Sequence, residues 1–150
     1  MAKDKNTIIK NVKSAVIQAI IAYILVHGVH MAKDIFRVLE YPTNNFFFQH
    51  ISMIRLLVFT WLGMAAYEVF ENVKVYLDDP ELGTEFKNIL RNLVLKVLII
   101  DVIAFAVANL GLFMLNSTMI FIIANIAVLP VDAIVIYLSG KILINKIENT

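Results

Sequence analysis

Four long apolar stretches constrain what this chain can fold into. They cover approximately residues 12–39, 53–76, 87–115 and 119–140 of the 150-residue sequence. A helix of about 20 mostly apolar residues crosses the ~30 Å hydrocarbon core of a membrane. Because each stretch reaches that length, the pattern predicts one all-α domain over residues 1–150, an integral membrane antiparallel four-helix bundle.

The composition favours the same class. Hydrophobic residues make up 60% of the chain and charged residues 17%, and the mean hydropathy is +0.79. Helices of a water-soluble bundle need a polar face, but Asn125 and Asp132 are the only strongly polar residues between Met119 and Leu138. The net charge of +1 does not indicate a nucleic-acid partner. The absence of cysteine excludes disulfides and thiolate metal sites.

Polar breaks and basic residues predict the topology. Breaks occur at residues 41–45, 78–84 and 116–118, and we expect Thr84 to cap the third helix. Membrane proteins place most Lys and Arg near helix ends on the cytoplasmic side. Such residues cluster in the N-terminal tail, beside the 78–84 loop and in the C-terminal tail. We therefore expect a multi-pass protein of a prokaryotic cytoplasmic membrane with both termini in the cytoplasm.

Four ionisable residues fall within the predicted spans: Glu68, Lys96, Asp101 and Asp132. An ionised group at the bilayer centre costs ~2.5–3.5 kcal/mol on insertion scales, so each needs a partner or a function. Depth along the helices lets Glu68 meet Lys96 and lets Asp132 approach Asp101. Two adjacent carboxylates would favour protonation of one of them. The residues form either stabilising contacts between helices or a path for protons or ions.

A polar stripe lies in the outer half of the first stretch. His27, His30 and Asp34 are spaced three and four residues apart, which places them on one helix face. Nitrogen and oxygen ligands so arranged could bind Zn²⁺ or Cu²⁺. The alternative is a partly hydrated stripe that pairs with a neighbouring helix. The sequence predicts no cofactor, with a metal ion at these three residues kept as an alternative.

Proline and small residues mark two further features. Pro130 predicts a kink in the fourth helix and frees the carbonyl of Ile126. With Asn125 and Asp132 nearby, the kink could serve packing or an ion site. Small residues predict close helix packing along two stripes, which comprise Ala15, Ala19 and Ala22 in the first helix and Ala104, Ala108 and Gly111 in the third.

Two segments carry a family resemblance. Residues 29–36, VHMAKDIF, are similar to a V-H-x-A-D-x-x-F region, with one additional residue before Asp34. The second segment runs from residue 68 to residue 101. It contains in order an acidic residue, a K-x-Y sequence at a helix end, a basic residue and an aspartate, which here are Glu68, Lys74 to Tyr76, Lys96 and Asp101. In these segments the chain resembles the PsiE family, named for induction under phosphate starvation. The resemblance implies a four-helix inner-membrane protein and no assigned chemistry.

These features favour a non-enzymatic role. Spans of about 20 residues leave little chain for a soluble catalytic domain. We expect an accessory or structural subunit of a membrane assembly, whose partners are the lipid bilayer and other membrane subunits or a second copy. One alternative is a small proton- or ion-coupled transporter or channel that uses the intramembrane carboxylates. Another is a metal-binding membrane subunit that uses the His27 stripe.

Overall fold

The protein is all-helical where the structure describes it. The computed structural model describes residues 5–40 and 80–149, apart from the side chains at positions 26, 30, 37 and 80–82. These residues form three helices, α1 (Lys5–Glu40), α2 (Pro80–Phe113) and α3 (Thr118–Asn149). Each helix is long and apolar enough to cross a membrane. The predicted span over residues 53–76 lies outside the described residues.

The helices extend beyond the apolar stretches that predict them. α1 begins before residue 12, α2 begins before residue 87 and α3 ends after residue 140. At 1.5 Å per residue, helices of 32 to 36 residues are ~48–54 Å long and exceed the ~30 Å hydrocarbon core. The prediction that Thr84 caps the third helix is wrong, because Pro80 begins α2 and needs no amide hydrogen there. The hydropathy pattern therefore marks only the part of each helix that can lie in lipid.

Two apolar clusters define the directions of the three helices. One cluster joins Ile8 of α1, Phe86 of α2 and Ile147 of α3. The second cluster joins Val38, Ala108 and Phe121, which lie toward the other ends of the same helices. The beginnings of α1 and α2 therefore lie beside the end of α3. It follows that α1 and α2 run parallel to each other and antiparallel to α3.

Small residues bring α3 close to its two neighbours. A Cβ atom built on Gly140 would lie 2.5 Å from Val16 Cγ2, so α3 and α1 meet there without space for a side chain. Near the α2–α3 turn, Gly111 packs against Ile120 without space for a side chain, since a Cβ atom built on Gly111 would lie 2.5 Å from Ile120 Cγ2. The predicted small-residue stripes contribute Ala15, Ala19 and Ala108 to the buried set. Gly140 belongs to neither predicted stripe.

A short turn over residues 114–117 connects α2 to α3. The Ser117 amide donates to the Gly111 carbonyl over 2.8 Å, and the Ser117 hydroxyl accepts from the Ile120 amide over 3.4 Å. Asn116 has a φ of 48°, a left-handed conformation that asparagine adopts more readily than most residues. The polar break predicted at residues 116–118 therefore coincides with the end of this turn and the first residue of α3.

The outer surface of the described helices is apolar and the interior holds acidic groups. Large exposed hydrophobic side chains occur along all three helices, for example Leu25, Ile99 and Ile134. Asp34 and Asp132 are buried among the described residues. Water-soluble helices show the opposite arrangement, with a polar outer face. The surface is consistent with a lipid environment and a multi-pass membrane protein.

Candidate intramembrane carboxyl site

Asp132 lies in the interior of the bundle, near the middle of α3. Its side chain is 0% exposed. Val128, Asp132, Ile136 and Gly140 follow one another at four-residue spacing, and all four are buried. Side chains at this spacing share one helix face. The packing face of α3 therefore carries the carboxyl group inward among apolar neighbours.

Tyr23 of α1 binds one oxygen of this carboxyl group. The Tyr23 hydroxyl donates a hydrogen bond to Asp132 Oδ2, and the tyrosine side chain is itself buried. The other oxygen, Asp132 Oδ1, is buried and has no hydrogen-bond partner among the described residues. A buried acceptor without a donor normally costs ~1–3 kcal/mol. The two oxygens of Asp132 are therefore in different environments.

Asp101 of α2 brings a second carboxyl group to the same place. Its side chain is half-buried and lies within hydrogen-bonding range of the Asp132 side chain. Neither group can donate to the other while both are ionised. Such a contact becomes a hydrogen bond when one carboxyl carries a proton. The site therefore joins one side chain from each of the three described helices.

His27 adjoins the site through Tyr23. The two rings lie one helical turn apart on α1, with their centroids 5.0 Å apart and their planes inclined at 49°. Asp34 is 8% exposed and lies two turns further along α1. The His30 side chain lies outside the described residues. Among the side chains that the structure describes, no three His, Asp or Glu groups converge as metal ligands.

The other predicted polar residues lie apart from the carboxyl site. Lys96 is exposed on α2. Glu68 lies outside the described residues, so its pairing with Lys96 stays a prediction. α3 continues through Pro130, whose side chain is exposed. The Asn125 amide donates to the Phe121 carbonyl over 2.8 Å, which is a bond within its own helix.

Sequence reasoning missed Tyr23. Membrane tyrosines are typical of the two interfaces, and none of the predictions made from the sequence assigns Tyr23 a role. A usable signal was present, since Tyr23 lies well inside the first apolar stretch and at a depth close to that of Asp132. A hydroxyl at that depth requires an acceptor, and a carboxylate on another helix can supply one.

Comparison with known proteins does not identify this site. No protein-family model, no curated protein and no solved structure matches the chain. A hydroxyl donor, a fully buried carboxyl group and a second carboxyl group can stabilise the packing of three helices, and they can also hold a proton.

Proposed function

We propose that the chain is a four-span membrane protein with both termini in the cytoplasm. The parallel directions of α1 and α2 support this topology. If both helices cross the membrane in the same direction, the chain between them must cross it an odd number of times. The apolar stretch at residues 53–76 is long enough for one such crossing.

The distribution of basic residues supports the orientation. The end of the bundle that holds the start of α1, the start of α2 and the end of α3 carries several basic residues, namely Lys5, Lys10, Lys13, Lys87, Arg91, Lys141 and Lys146. Lys5 Nζ donates to the Glu148 carbonyl over 2.8 Å, and Lys146 Nζ lies 3.1 Å from Glu85 Oε1. An end this rich in Lys and Arg is typical of the cytoplasmic side.

The role we propose is that of a non-enzymatic accessory or structural subunit of a membrane assembly. One observation carries this proposal: large apolar side chains are exposed on all three described helices. Between Pro80 and Asn149, only residues 114–117 are not helical. A chain of this kind offers membrane-embedded surfaces to lipid, to other subunits or to a second copy. The resemblance to the PsiE family is compatible with this role and stays a prediction.

Cysteine labelling can test the topology. Because the chain contains no cysteine, single variants such as Ser117→Cys and Asn149→Cys give one label each. In intact cells, a membrane-impermeant maleimide should label Ser117→Cys and should label Asn149→Cys only after the membrane is permeabilised. Equal labelling of both variants before permeabilisation would contradict the proposed topology.

Crosslinking in native membranes can test the subunit role. Photo-crosslinking amino acids at exposed positions such as Leu25, Ile99 and Ile134 should capture a defined protein at one or more sites. The buried position Val97 is the matched control and should give no adduct between chains. Recovery of lipid adducts alone at all exposed positions, together with a monomer in mild detergent, would contradict a subunit role.

A proton- or ion-coupled transporter is a second candidate, favoured by the meeting of Asp101, Asp132 and Tyr23 inside the bundle. Purified protein in liposomes should then give a proton or ion flux that Asp101→Asn abolishes. Absence of flux from the wild-type protein would leave the carboxyl site with a packing or binding role only.

A further inference from the structure

The unpartnered oxygen of Asp132 points to a ligand. Asp132 is fully buried, Tyr23 satisfies Oδ2, and no described residue donates to Oδ1. Buried polar atoms in folded proteins nearly always have a partner. In a bundle with an apolar outer surface, bulk water does not reach this oxygen at 0% exposure. A further donor is therefore expected next to Asp132.

A protonated Asp101 can supply that donor. Its carboxyl group lies beside the Asp132 carboxyl group. Two like charges this close in a site of low polarity disfavour the doubly ionised form. We propose that Asp101 and Asp132 hold one exchangeable proton between them, so that the bundle interior contains a proton-binding site in which Tyr23 is the second hydrogen-bond donor.

The described residues fit a proton better than a metal ion. A metal ion held by oxygen ligands generally requires about six of them, and the site brings together only two carboxyl groups and one hydroxyl group. The Tyr23 hydroxyl already directs its hydrogen toward Asp132. No group of three acidic or histidine ligands occurs among the described side chains. A proton needs only the two facing carboxyl groups.

Among the described residues, few other ionisable groups lie near the site. On α1 the described neighbours are Tyr23 and His27, and the His27 ring packs against the tyrosine ring. On α2 the neighbour is Asp101, while Lys96 lies five residues away and is exposed. No described cation therefore contacts the two carboxyl groups. The bound proton removes a second negative charge that no described cation compensates.

Proton binding at this site does not depend on the subunit role. A failure to find partner proteins would leave it intact, and a failure to find the proton would leave the subunit role intact. It also differs from transport, which would require two accessible faces as well as a site.

Infrared spectroscopy of protein reconstituted in phosphatidylcholine vesicles can test the site. The protein is prepared with aspartate carrying ¹³C in the side-chain carboxyl group, so that aspartic acid bands shift and glutamic acid bands do not. Near neutral pH, the wild-type protein should display a protonated aspartic acid band that is lost at high pH. Absence of a protonated aspartic acid band at neutral pH would overturn the proposal without any variant.

Two matched variants identify which aspartate gives the protonated aspartic acid band. Asp101→Asn should abolish it, because the asparagine amide can donate to Asp132 and leaves that group ionised. Asp34→Asn removes another buried acid and should leave the band unchanged. Persistence of the band in folded Asp101→Asn protein, or its loss in Asp34→Asn protein, would overturn the assignment.

Measuring the band with and without sodium tests whether a monovalent metal ion competes with the proton. Replacing choline chloride by sodium chloride at constant pH should leave the band unchanged. Loss of the band on addition of sodium would show that a monovalent metal ion competes for the site, and it would overturn a site specific for protons.

Discussion

The Tyr23 hydroxyl on α1 donates a hydrogen bond to Asp132 Oδ2 on α3, across 109 residues of sequence. Both side chains are buried, so water does not replace either partner. The bond fixes the position of α1 along α3 at the depth where Asp101 approaches from α2. A single polar contact thus connects the packing of the bundle with the protonation of its interior acids.

Replacing Tyr23 by phenylalanine should destabilise the protein by ~1–2 kcal/mol, because Asp132 loses a donor inside an apolar region. The free energy of unfolding in mixed detergent micelles is the measurement. Tyr137→Phe is the matched control, since Tyr137 is 56% exposed on α3, and it should change stability by less than ~0.5 kcal/mol. Equal effects of the two substitutions would contradict a role for the Tyr23 hydroxyl in packing.

Gly140→Ala should also weaken the bundle, by ~1 kcal/mol or more, because the new Cβ atom would overlap the stiff side chain of Val16. Gly28→Ala is the control, because its Cβ would lie 3.8 Å from Leu129 Cδ1, an ordinary contact distance. Alanine is the better helix former, so this control should be neutral or stabilising.

A double-mutant cycle separates the contact from the backbone effect of Gly140→Ala. Adding Val16→Ala to Gly140→Ala should restore space between α1 and α3. The coupling free energy between the two substitutions should be ~0.5–3 kcal/mol. Additive effects would place the cause of the destabilisation elsewhere than in the contact between positions 16 and 140.

The turn between α2 and α3 gives a third prediction. Asn116 has a φ of 48°, a conformation that costs a β-branched residue ~1–2 kcal/mol. Asn116→Val should therefore lower the free energy of unfolding by about that amount, whereas Asn116→Gly should be neutral or slightly stabilising. Equal stability of the valine and glycine variants would be inconsistent with a left-handed residue at this position.

Hydropathy predicted the existence of the three described helices and missed part of their length. Apolar residues are needed only where a helix lies in lipid, whereas its backbone hydrogen bonds continue into water. Lys10 precedes the first apolar stretch and Lys13 lies at its start, but α1 runs through both residues from Lys5. The extra turns carry Lys5 and Lys146, which make polar contacts between helices at the basic end.

The interior acids could be predicted in part. Depth along antiparallel helices was sufficient to suggest that Asp101 and Asp132 approach each other, and the structure brings their carboxyl groups together. Depth alone does not give rotation about the helix axis, which packing determines. The sequence therefore does not show that Tyr23 points inward, whereas the structure places it in the same buried cluster as Val16 and Ala19.

Placing an acid on the outer surface tests whether that surface faces lipid. Ile99 is 56% exposed near the middle of α2. If this face contacts hydrocarbon, Ile99→Asp should raise the apparent free energy of membrane insertion by ~2.5–3.5 kcal/mol, as measured in a microsomal insertion assay. On a water-exposed surface the same change would alter stability by less than ~0.5 kcal/mol. The exposed Lys87→Asp change near the start of α2 is the control and should have little effect on insertion, because we place it at the membrane boundary.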